Sequence, residues 1–171
     1  IGDAIIRGSR GSGKTMLLRY LDIFGNISFD ENVKNKKVSE SFPVMVNLSL
    51  IHTSEWKSSV NSLIESAEKL IYESVLTSLD RKNKELHSAE FRNALFKVKQ
   101  KLQVLANQEG SDIWKLGVAI RENMSIYFNH ILLLIDEVAP VFPKDFFLDS
   151  ENGFLRWMNS IRNSGPYFTR I

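Results

Sequence analysis

The 171 residues carry 22 basic and 20 acidic side chains, a formal net charge of +2, and 43% of them are hydrophobic. Such a chain buries one sizeable core in one domain, and it lacks the bulk charge that would by itself demand nucleic acid or an anionic membrane as partner. It contains no cysteine, so disulfides and zinc–thiolate centres are excluded, and a reducing compartment suits it.

In chain order, Ala4 to Arg7 reads as a short buried strand, and Gly8-Ser9-Arg10-Gly11-Ser12-Gly13-Lys14-Thr15 follows it directly. The stretch fits GxxxxGK[ST]. Glycines at 8, 11 and 13 let backbone N–H groups approach a phosphate with no side chain in the way, and the helix that follows points its positive end at the anion. Lys14 supplies a mobile point charge for the β/γ-phosphates, and the Thr15 hydroxyl supplies one oxygen to Mg²⁺.

The first helix is predicted from Lys14 to about Phe24, with Leu17, Leu18, Leu21 and Phe24 on its apolar face and Gly25-Asn26 ending it. Ser28 to Ser41 is polar and reads as a loop or linker, and Pro43 to Leu48 as a second strand with Pro43 at its first position. Three amphipathic helices are predicted next. The first carries Val60, Leu63, Ile64, Ala67, Leu70, Ile71, Val75 and Leu79, and the second carries Phe91, Ala94, Leu95, Val98, Leu102 and Leu105 behind a Ser88 cap. The third is capped by Asp112 and carries Ile113, Leu116, Ile120, Met124 and Tyr127. A minimal crossover between parallel strands needs one helix, so residues 55 to 130 read as a helical insertion.

Arg81, Lys82, Lys84, Arg92, Lys97, Lys99 and Lys101 crowd one region of these helices. No aromatic residue interleaves them, so they read as a solvated helix face rather than a nucleic-acid contact. His52, His87 and His130 have no ligand spacing and read as surface or helix-end residues.

Ile131 to Ile135 is an apolar strand that delivers Asp136 and Glu137 at its C-terminal end, the Walker B pattern. It is far too short to span a bilayer, no signal sequence leads the chain, and the protein reads as cytoplasmic. A strand buried on both faces presents its last carboxylate at the edge where open α/β sheets bind ligands. Asp136 is thereby a Mg²⁺ residue beside Thr15, and Glu137 the residue that orients or deprotonates the water attacking a γ-phosphate. Neither Asn35-Lys36-Lys37-Val38 nor Asn83-Lys84-Glu85-Leu86 provides the aspartate that guanine recognition normally uses, which favours ATP. Val141, Phe142, Phe146, Phe147 and Leu148 then form an aromatic-rich loop, Phe154, Leu155, Met158 and Ile161 fit a helix, and Tyr167 to Ile171 begins a strand. The chain opens at Ile1 and stops within that strand, which reads as a piece of a longer protein.

The residues from Gly8 to Leu21 together with Ile131 to Glu137 resemble the P-loop ATPases of the AAA+/STAND division, and Gly-Ser-Arg-Gly-Ser-Gly-Lys-Thr-Met-Leu-Leu-Arg-Tyr-Leu is similar to bacterial ATPases related to the origin-recognition group. The resemblance covers the two ends of the chain. It implies an α/β three-layer P-loop NTPase with a parallel sheet, ATP with Mg²⁺ as cofactor, and homo-oligomers in which a neighbour supplies an arginine finger. It implies too that Lys14, Thr15, Asp136 and Glu137 hold the roles argued above. Sensor, finger and lid elements would lie beyond Ile171, since Arg156, Arg162 and Arg170 carry no spacing that marks a finger and read as salt-bridge partners.

The expected function is therefore Mg-dependent ATP hydrolysis coupled to conformational change in a larger assembly. DNA and protein stay open as partners. The alternatives are a nucleotide-gated scaffold or signalling switch with negligible turnover, and a small-molecule kinase, for which no arginine-rich lid is legible.

Overall fold

The computed structural model describes residues 11–51, 59–149, 151–163 and 168–170, with side chains described through residue 161. The expected strand at Ala4 to Arg7 lies outside the described residues. The elements are α1 (Lys14–Lys34), β1 (Ser39–Asn47), a 3₁₀ turn (Leu48–Leu50), α2 (Val60–Leu86), α3 (Ala89–Leu105), α4 (Asp112–Met124) and β2 (Phe128–Asp136). They continue with α5 (Val138–Val141), α6 (Lys144–Leu148), α7 (Phe154–Asn163) and β3 (Phe168–Arg170). The fold is α/β. Among the described residues the three strands form one parallel sheet in the order β1-β2-β3.

The first helix does not stop at Gly25. A Cβ on Gly25 would stand 2.9 Å from Cγ and 3.2 Å from Cβ of Pro43, so this glycine lets α1 lie close on β1. Its helix-propensity cost of about 1 kcal/mol is outweighed by that packing. The helix ends in a Schellman motif: Lys37 N–H donates to the Asn32 carbonyl at 2.8 Å and Lys36 N–H to the Val33 carbonyl at 3.1 Å. The left-handed residue of that motif is Lys36, at φ 53°. A lysine sends no stop signal, whereas Gly25 sends a false one. The expected loop from Ser28 to Ser41 is thus the last turns of α1 and the first residues of β1.

Phe29, inside that segment, is fully buried. Its ring meets Phe42 at 5.0 Å, Phe128 at 6.1 Å and Phe91 at 6.3 Å, which joins α1 to β1, β2 and α3. Pro43 stands inside β1 rather than at its start. It is tolerated because β1 is an edge strand among those described, where a missing N–H interrupts no ladder.

Helices α2, α3 and α4 match the expected periodicity, and serines begin all three. Ser59, Ser88 and Ser111 accept hydrogen bonds from the N–H groups of Ser62, Phe91 and Trp114. Ser111, not Asp112, is therefore the cap of α4, and Tyr127 lies beyond its end, where its carbonyl accepts the Ser39 N–H at 2.8 Å. Leu63, Ala67, Ile71, Val75 and Leu79 of α2 belong to the same buried cluster as Val44, Val46, Ile131 and Leu133 of the sheet. The helical segment thus shares the core of the sheet.

The basic cluster is largely paired. Lys82 is buried between Asp30 at 2.9 Å and Glu85 at 2.8 Å, tying α2 to α1, while Lys99 meets Asp80 at 2.7 Å and Lys101 meets Glu122 at 2.9 Å. His130 is not a surface residue: it sits in β2 with 12% of its side chain exposed and Nδ1 3.9 Å from Glu40. Burial holds its pKa below the ordinary imidazole value, against the opposing pull of Glu40. His87 is the left-handed residue that closes α2, and His52 lies outside the described residues.

Two stability outcomes are expected. Gly25→Ala costs about 1 kcal/mol, because overpacking against the Pro43 ring exceeds the helix-propensity gain. In a Pro43→Ala background the same change becomes neutral or stabilising, which a urea-denaturation double-mutant cycle measures. For His130, a depressed folded pKa means that the unfolded chain binds the extra proton on acidification. Its contribution is present above about pH 6.5 and lost as pH falls through that value. The stability of wild type relative to His130→Leu therefore drops between pH 8 and pH 5, and a flat difference would contradict this.

Candidate functional site

Two short segments carry the candidate chemistry, one at each side of the helix–sheet contact. In the glycine-rich loop, Gly11 has φ 82° and Gly13 φ 81°, both in the left-handed region that an L side chain rarely adopts. Among the described residues a Cβ at either position would meet no heavy atom within 4 Å. The requirement for glycine is thus set by the backbone conformation. Helix α1 begins immediately afterwards with no side-chain cap and no acidic residue in its first turn, so nothing within its own first turn offsets its positive end. Lys14 and Thr15 are half-buried, and Lys14 Nζ donates to Ser12 Oγ at 3.2 Å, folded back over its own loop. Gly8, Ser9 and Arg10 lie outside the described residues.

The second segment is the C-terminal end of β2. Asp136 is its last residue, buried at 8% exposure, and its Oδ1 accepts the Glu137 N–H at 2.9 Å. Glu137 is exposed and left-handed, at φ 59° and ψ 36°, with no capping bond from its side chain to α5. A non-glycine residue held there stores on the order of 1 kcal/mol or more, and such strain gathers at functional sites. Asn47 is the register partner of Asp136 on β1, with its Oδ1 accepting the Ser49 N–H at 3.0 Å. Sequence reading missed Asn47 at this edge, because only strand register places it there.

Helix and strand geometry bring the two segments to one end of the sheet. At the far end, Asn32 and Ser39 side chains meet at 3.5 Å, and midway Gly25 lies on Pro43, so α1 runs antiparallel to β1. From Gly25 back to Lys14 the helix climbs about 16 Å, and from Pro43 to Asn47 the strand climbs about 13 Å. Since α1 packs on both β1 and β2, its N-terminus stands level with Asn47 and Asp136. The oxygen donors brought to that end, the Thr15 hydroxyl and the Asp136 carboxylate, are the hard ligands that Mg²⁺ takes, and the open main chain at Gly11 and Gly13 suits a phosphate. The donor set fits the pair that the sequence implies. Among the described residues no group of three or more His, Cys, Asp or Glu side chains forms another metal site.

The remaining candidates are placed as follows. Among the described residues Arg156 forms no ion pair with a carboxylate; Nη1 donates to the Glu151 carbonyl at 2.7 Å and to Asn152 Oδ1 at 3.2 Å. The side chains of Arg162 and Arg170 lie outside the description. The aromatic stretch after Glu137 forms the short helices α5 and α6 rather than a loop. Its buried rings pack α7 onto the core, with Phe142 meeting Phe146 at 4.9 Å and Trp157 at 5.2 Å. Within α7, Leu155 is exposed and Trp157 takes the buried position, donating from Nε1 to Glu68 Oε1 at 3.1 Å. Burial raises the pKa of Glu68. No helix among the described residues is long and apolar enough to cross a membrane. No family model matches the chain, and neither does any curated protein or solved structure.

The strain at Glu137 is directly measurable. Glu137→Gly is expected to raise unfolding stability by about 0.5–1 kcal/mol, since glycine adopts the left-handed conformation without steric cost. Chemical denaturation alongside Glu137→Ala, which keeps the strain, checks it; equal effects from both variants would remove the claim.

Proposed function

We propose that the chain is a P-loop ATPase domain of three-layer α/β architecture, in the AAA+/STAND division, that binds Mg·ATP and hydrolyses it within an oligomeric assembly. What supports the reading is that α1, packed on β1 and β2, carries two left-handed glycines at its N-terminus toward the sheet end where β2 ends in Asp136 and a left-handed Glu137.

In this reading Gly8 to Gly13 wrap the phosphates with main-chain N–H groups. Lys14 exchanges its hydrogen bond with Ser12 for the β- and γ-phosphate oxygens, where its charge offsets the negative charge that develops in the transition state. Thr15 and Asp136 hold Mg²⁺, which when bound neutralises and orients the β- and γ-phosphates. Glu137 accepts a proton from water as the water oxygen bonds to the γ-phosphorus. The bond from that phosphorus to the bridging β–γ oxygen breaks, leaving ADP and inorganic phosphate. The left-handed backbone of Glu137 supports this role, because it turns the side chain of residue 137 away from the strand's alternation. Turnover would drive conformational change in neighbouring parts of the assembly.

The test is ATP binding and steady-state hydrolysis for wild type, Lys14→Ala and Glu137→Gln across protein concentration. Lys14→Ala is expected to lose binding, and Glu137→Gln to keep binding while losing about 10²–10⁴-fold in turnover. Binding without hydrolysis by wild type at every concentration would replace the enzyme with a nucleotide-gated switch. No binding at all would end the P-loop reading.

A further inference from the structure

Helix α1 carries two apolar faces. Leu18 and Phe29 are buried on the sheet side, where Gly25 lies against Pro43. The opposite side displays Met16 at 76% exposure, Ile23 at 57%, Tyr20 at 55%, Phe24 at 53%, Ile27 at 50% and Leu17 at 44%. Leu17 and Phe24, expected to share one apolar face with Leu18, are exposed while Leu18 is buried. A helix apolar on both sides is ordinarily an interior helix. Six large side chains about half exposed leave on the order of 600 Å² of apolar surface, at the upper end of what a monomer tolerates in one patch.

We propose that this face binds a second copy of the chain through an antiparallel α1–α1 contact. Three observations favour that occupant. The central residues Met16, Tyr20, Ile23 and Ile27 are spaced by four, three and four positions, so the stripe reads the same in either direction, as a two-fold interface requires. With the axis between Leu21 and Asp22, Met16 of one copy faces Ile27 of the other, and Tyr20 faces Ile23. Two such faces remove about 1,200 Å² from water, the lower bound of a stable specific interface. Finally, exposed Glu31 lies on the same side of the helix, near its C-terminal end. In the antiparallel arrangement it comes opposite residue 12 of the second copy, beside the uncapped positive end of that copy's α1.

These 171 residues contain no cysteine, so single introduced cysteines report the geometry. Sedimentation velocity over a concentration series is expected to show a monomer–dimer equilibrium, and Ile23→Glu to weaken it at least tenfold while leaving the circular-dichroism melt unchanged at a concentration where wild type is monomeric. Met16→Cys and Ile27→Cys are then prepared singly. Like residues lie about 16 Å apart across the axis, so neither variant alone forms a disulfide efficiently, whereas an equimolar mixture does. A wild type monomeric at all concentrations overturns the proposal. A dimer that survives Ile23→Glu, a single-cysteine variant that cross-links to itself, or a mixture that does not cross-link overturns it as well.

Discussion

The close approach of Gly25 to Pro43 governs the placement of everything that could act chemically. A helix set down on a strand at one fixed point has only its rise per residue with which to reach the strand's end. Eleven residue steps of helix separate that point from Lys14, and four strand residues reach Asn47, so the glycine-rich loop is carried toward the edge where β2 delivers Asp136. Any larger side chain at position 25 would lift the helix and move the loop relative to that carboxylate. The fixed point sits far from the site in sequence, yet it sets the site's dimensions.

Much of the candidate site was legible because its residues are local in the sequence. Gly11, Gly13, Lys14 and Thr15 are consecutive or nearly so, and the run Ile131 to Glu137 announces a buried strand with acids at its end. The apolar periodicity of α2, α3 and α4 was equally plain, since each repeat lies within one segment. What escaped reading was decided by contacts between segments. Gly25 looked like a helix stop because its partner Pro43 is eighteen residues away. Lys36, the true left-handed terminator, belongs to a residue type that rarely takes the position. Polar Ser39 and Glu40 looked like loop because their partners, the Tyr127 carbonyl that accepts the Ser39 N–H and the Asn129 amide that donates to the Glu40 carboxylate, lie just before and within β2.

The two faces of α1 show the same limit. Helical periodicity identifies which residues share a side, but it does not say which side meets the sheet when both are apolar. The resolution came from Gly25 and Phe29, one too small and one too deeply buried to face outward. At Glu137 the local rule fails in the other direction: an ordinary helix former stands in a backbone conformation that suits glycine. Departures of that kind concentrate where geometry serves something other than stability.

The Phe29 cluster has a consequence for how the chain is made. Its rings come from positions 29, 42, 91 and 128, and β1 finds its parallel neighbour β2 only after residues 48 to 127 have been laid down between them. During synthesis from the N-terminus, β1 and the rings of Phe29 and Phe42 are therefore complete long before the strand that pairs with them exists. Distant closures of this sort slow folding and leave an unpaired apolar edge available to wrong partners. The three serine-capped helices emerge in that interval, so Phe91 and the apolar face of α2, which share the native core with β1, are synthesised before β2.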